Sequence, residues 1–97
     1  MLIYEIEGTK IKDWNSFHHE FKNKMSFPDY YGENMDAWID CVDELCEQPI
    51  LINIEHGERL KNKAPHIFQA LLECSAFINH RRRERGDKPN LLISTRC

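Results

Sequence analysis

The chain reads as an α/β protein: a three-stranded parallel sheet with helical crossovers. Two apolar β-type runs, ILINI at 50 to 54 and NLLIST at 90 to 95, join an alternating N-terminal run, LIYEIEG, as strand candidates. The segments between them carry apolar residues at helical spacing. Strands separated in this way pair as parallel neighbours, through crossovers that are almost always right-handed.

Taken in order, the first strand covers residues 2 to 6, and Gly8 punctuates it. Asp13 is placed as the N-cap of a helix on which Trp14, Phe17, Phe21 and Met25 recur at helical spacing, with His18 and His19 at its edge. Phe27-Pro28 ends that helix, because the residue before a proline is pushed out of the helical region. Beyond Tyr30-Tyr31-Gly32, Asn34 is the N-cap candidate of a second helix reaching about Glu47 and closed by Gln48-Pro49. ILINI is nearly continuous in apolar residues, which predicts a strand covered on both faces. Residues 57 to 63 read as a short helical turn. Pro65 suits the first turn of a further helix, with Ile67, Leu71, Cys74 and Ile78 on one face and Gly86 at its end. Asp87-Lys88-Pro89 then turns the chain into the third strand. No repeat, low-complexity tract or boundary interrupts residues 1–97, so they are read as one domain with one modest core.

Composition excludes several classes. No apolar run approaches the roughly 18 residues of a membrane span, and the N-terminus carries acids where a secretory signal carries basic residues. An intracellular, cytoplasmic protein is expected. Cys41, Cys46, Cys74 and Cys97 contain no CxxC pair, and Cys41 and Cys46 lie about 140° apart around a helix. They read as reduced thiols, buried except for a loose terminal Cys97, and no metal or cofactor is expected. The five histidines show no HExxH spacing.

The formal net charge of −3 conceals a segregated pattern. Between Met25 and Glu58 there are nine carboxylates and no Lys or Arg, while the other seven carboxylates share the rest with all 13 basic residues. Such a field bears on partners more than on folding. On the second helix, Met35, Trp38, Ile39, Val42, Leu45 and Cys46 form an apolar stripe. Asp36, Asp40, Asp43, Glu44 and Glu47 form a ridge on the opposite side. Like charges recur at 36/40, 40/44 and 43/47, each pair disfavoured by roughly 0.2–0.5 kcal/mol. Asp36 is partly offset by the helix dipole, whereas the acids near the C-terminus are not. A basic partner accounts for a face of that kind. One or both of Tyr30 and Tyr31 belong to the core, and a Tyr beside Gly at a helix entrance also suits an exposed contact. Gly32 permits a close backbone approach or a positive φ.

The run FPDYYGENMDA followed by Asp40-Cys41 closely resembles the core motif of the barstar family, PEYYGENLDA followed by WDCL. The family consists of intracellular inhibitors of barnase-type ribonucleases. The similarity continues more weakly through Gly8, Ile11, His18, Pro49 and Gln69…Glu73, and fades after Ser75. It implies a barstar-like fold and a 1:1 complex with a basic, barnase-like ribonuclease. Asp40 would enter the active site in place of an RNA phosphate, Tyr30 would pack on the catalytic His, and Asp36 would pair with a second basic group. Gly32 and Asn34 would make rim contacts, and Glu47 and Glu73 would be peripheral acids. Tyr31, Ile39 and Glu44 complete the expected contact set. The chain departs from the family pattern at Trp38-Ile39, where Leu-Trp is usual, and at Glu44-Leu45, where Gly-Trp is usual.

Three other readings compete. Catalysis by Asp36 and Asp40 would need environments that drive their pKa values apart, and an exposed ridge does not supply them. The basic run HRRRER at 80 to 85 would suit a small RNA-binding protein. A barstar-like module could also serve a basic partner that is not a ribonuclease.

Overall fold

In the computed structural model, residues 1–95 are described, and the terminal thiol expected at Cys97 lies outside them. The elements run β1 (Leu2–Glu7), a 3₁₀ turn (Gly8–Lys10), α1 (Trp14–Met25), α2 (Met35–Leu45), β2 (Ile50–Glu55), α3 (Gly57–Lys63), α4 (Pro65–Glu84) and β3 (Leu91–Thr95). The strands form one sheet in the order β1-β2-β3, parallel throughout, with β2 central. The chain therefore has the expected α/β, three-stranded parallel architecture, with four helices.

Register explains which residues are buried. Tyr4, Ile52 and Ile93 are partners across the three strands, as are Leu2, Ile50 and Leu91. With Ile6 and Ile54 they line one face, and that face, apart from the exposed Leu2, enters the core with Phe17, Phe21, Trp38, Val42, Leu60, Ile67, Leu71 and Ile78. Side chains alternate across a strand, so Ile3, Leu51 and Leu92 share the other face. There Ile3 and Leu92 are exposed and Leu51 is half-buried. The expectation of a strand covered on both faces holds for β2 in part: Asn53, 7% exposed, is buried on that face beside half-buried Leu51, while the edge strands leave Ile3 and Leu92 open.

Local signals hold the helices in place. Asp13 accepts from the Ser16 amide at 2.8 Å while Ser16 Oγ accepts from the Asp13 amide at 3.0 Å, a reciprocal cap for α1. Ser26, in the left-handed region, ends that helix. His18, placed at the helix edge by sequence, is buried instead. Its ring stacks on Trp14 and meets the edge of Phe17. Buried Glu20 accepts from the Glu7 amide at 2.9 Å and pairs with Lys24, tying α1 to the end of β1.

Gly8 marks a close approach. A Cβ there would stand 2.7 Å from the Glu55 carbonyl oxygen and 2.9 Å from that of His56. Both contacts are backbone at the end of β2, so the chain would have to separate. Gly8→Ala is expected to destabilise by about 1–3 kcal/mol, as overpacking does. Urea denaturation measures this, and a loss below about 0.5 kcal/mol, the size of an ordinary surface substitution, would contradict the close packing.

Candidate partner-binding site

The loop before α2 sorts its two tyrosines by environment. The Tyr31 amide donates to the Pro28 carbonyl at 2.9 Å, turning its side chain inward. Its ring packs on Phe27 and its hydroxyl hydrogen-bonds His18 Nδ1. Tyr31 is 6% exposed and Tyr30 84% exposed. Tyr31, expected in the contact set, is therefore an anchor of the loop and offers little side chain to a partner. Burial lowers the His18 pKa, with nearby Glu33 opposing, and burial raises that of Tyr31. The pair is neutral at pH 7.

The positive φ allowed for at Gly32 falls on Glu33, at 51°. Gly32 serves closeness instead: a Cβ would stand 3.3 Å from Asn34 Nδ2. That amide donates to the Gly32 carbonyl at 3.3 Å, while Asn34 Oδ1 accepts from the Ala37 amide at 2.8 Å. Asn34 thus spends its side chain on capping α2 and on fixing the loop.

On α2, Trp38, Val42 and Cys46 are fully buried, and Met35, Ile39 and Leu45 pack half-buried against the core. Asp36, Asp40, Glu44 and Glu47 are exposed. Tyr30, Tyr31, Gly32, Asp40 and Glu44, with Ala37 and Cys41, line a hollow of about 240 Å³. The structure brings these predicted residues together. Burial, then Glu73 and Asp36, raise the Cys74 pKa, so both of these acids lie near that thiol on the neighbouring flank. Glu47 lies beyond the end of α2, its carboxylate 4.0 Å from Arg82 Nη1. Burial, then Glu44 and Asp40, raise the Cys41 pKa, so this thiol stays protonated. Among the described residues no group of three or more His, Cys, Asp or Glu side chains is placed to hold a metal, and no helix is long and apolar enough to cross a membrane.

Asp43 belongs to neither set. It accepts from Arg82 at 2.9 Å, from Arg81 at 3.0 Å and from Arg85 at 3.3 Å. Burial alone would raise its pKa, but the three guanidiniums outweigh that and lower it. Arg82, 3% exposed, also donates from Nε to the Lys88 carbonyl at 2.8 Å. The basic run on α4 thus balances part of the acidic ridge on α2, and the 43/47 repulsion is relieved within the chain. A sequence signal for this existed. Arg82 continues the buried row Ile67, Leu71, Ser75 and Ile78 one turn further, and a charge on a core row needs a partner.

Fold and face together define a small α/β protein that exposes an acidic helix face flanked by an outward tyrosine. A family model described as Barstar (barnase inhibitor) matches residues 1–94, and the chain belongs to the barstar family. It is also similar to a Bacillus subtilis protein named "Putative ribonuclease inhibitor YrdF", 34% identical over 53 residues. That match covers 55% of this chain and 58% of the relative.

Asp43→Ala is expected to cost about 3 kcal/mol, because it removes the nearest counter-charge of the buried Arg82 and leaves the exposed Glu47 at 4.0 Å. The sign with pH follows from the depressed pKa. Asp43 contributes stability above its unfolded value of about 3.9, and that contribution is lost as pH falls through its lower folded value. Stability below about pH 4 should therefore fall less steeply in the variant. Parallel pH profiles of urea-determined stability would contradict the clamp.

Proposed function

We propose that this chain acts as a single domain that inhibits a barnase-like microbial ribonuclease, binding it 1:1 in the cytoplasm and occupying its active site with the acidic face of α2. The observation that carries the reading is the placement of Asp40, its side chain 73% exposed, beside the outward Tyr30 on a helix held by its own cap and core. A site that binds a phosphodiester must be cationic, and a carboxylate on a rigid helix offers it a charge without reorganisation. Complementary fields also speed the encounter.

Asp40 leads the contact in this reading, Tyr30 packs on an active-site ring, and Asp36 meets a second basic group. Ile39 and Glu44 border the leading carboxylate, Gly32 and Asn34 give the loop its shape, and Glu47 and Glu73 are outlying acids. Ile39 offers less area than the Trp usual there, so affinity rests more on charge. The RNA-binding alternative loses support, because Arg81, Arg82 and Arg85 are engaged with Asp43.

Asp40→Ala should weaken inhibition of the cognate ribonuclease by about 100-fold or more, mainly through faster dissociation, as when one partner of a desolvated charge pair is truncated. The fold should be retained, because Asp40 is exposed. Kinetic binding with a melting control measures both quantities. Parent-like inhibition by the variant would show that another surface binds.

A further inference from the structure

Arg81 is a cation on a face otherwise read as acidic. Its Nη2 stands 3.0 Å from Asp43 Oδ2 and 3.8 Å from Asp40 Oδ1, and its guanidinium lies 5.5 Å over the ring of Phe77. Phe77, one turn earlier on α4, is 48% exposed. Arg81 Nε is buried and unpaired, so the head group is held by stacking and by Asp43, and part of it still reaches solvent. Arg82 and Arg85 also serve Asp43, and of the three Arg81 is the one that reaches toward Asp40 as well. The result is a fixed cation with an aromatic shelf, next to the leading carboxylate.

We propose that Arg81, backed by Phe77, is a specificity-determining residue of the inhibitory face, reading an acceptor on the ribonuclease that flanks the cations met by Asp40. It rests on the inhibitor reading. The partner it selects carries a carboxylate or carbonyl at that flank and apolar surface against Phe77. A site that cleaves a phosphodiester needs a proton acceptor beside its cations, so the arrangement is chemically available. Against a partner bearing a cation there, Arg81 would repel, and discrimination between ribonucleases follows from that difference.

The test compares parent, Arg81→Ala, Arg81→Lys and Asp40→Ala by binding kinetics against barnase and a set of other purified microbial ribonucleases in catalytically inactive form. For any ribonuclease that the parent binds, Arg81→Ala should lose about tenfold in affinity, typical of a contributing interface residue. The loss should lie in dissociation, with association unchanged or faster, because the variant face is more acidic. Arg81→Lys should recover only part of it, since an ammonium lacks the planar fork. A merely structural role would not divide the rates in this way, and a urea melt of each variant shows that the fold is intact. Arg81→Ala binding as tightly as the parent while Asp40→Ala does not would overturn the role of Arg81 alone. A parent that binds no ribonuclease, or binds independently of Asp40, would overturn the inhibitor reading and this inference with it.

Discussion

Asp43 joins α2 to α4 by accepting from three guanidiniums, and the face that α2 shows to solvent depends on that junction. Two helices packed through apolar stripes retain freedom to roll against each other, because dispersion contacts have little direction. Charge-assisted hydrogen bonds do have direction. With Arg82 buried and bonded onward to Lys88, the junction also reaches the turn that leads into β3. Asn90 extends it, donating to the Cys46 carbonyl at 2.7 Å and so closing the end of α2. A buried ion pair is weak evidence for stability taken by itself, but here it fixes how Asp40, three residues away, is presented.

The opposite end of α2 is fixed by different means. Tyr31 and His18 share a buried hydrogen bond, Asn34 caps the helix, and Gly32 leaves space for the cap amide. Held at both ends, the helix carries its exposed acids on a rigid support. Rigidity matters because ordering long side chains and loops at the moment of binding lowers affinity. Tyr30 is aimed outward by the same turn that buries Tyr31, so the inward tyrosine sets the position of the outward one.

Much of this was legible in the sequence. The three strands, the Asp13 and Asn34 caps, the Pro65 helix start and the apolar row of α2 follow from periodicity and local chemistry, which act over one turn of chain. The exposure of Ile3 and Leu92 on the second sheet face was not legible, because apolar strands look the same whether or not that face is covered. Nor was the choice between Tyr30 and Tyr31, which rests on a contact with His18 13 residues away. The missing cations of the acidic ridge were sought on a partner, yet three of them lie on α4, about 40 residues on in the same chain. Helical wheels give the direction of a charge without its neighbour. Outside the clamp stand Asp36, Glu44 and Asp40, the last 3.8 Å from Arg81, and of these Asp36 and Asp40 belong to the family motif.

The central claim is that this acidic face takes the place of an RNA phosphate in a ribonuclease active site. Inhibition kinetics with increasing RNA substrate test it most directly, using a microbial ribonuclease that the protein inhibits. If the face occupies the phosphate site, the apparent inhibition constant rises in proportion to substrate while the maximal rate is unchanged. An inhibition constant independent of substrate, with the maximal rate reduced, would place the inhibitor elsewhere on the enzyme and contradict the account.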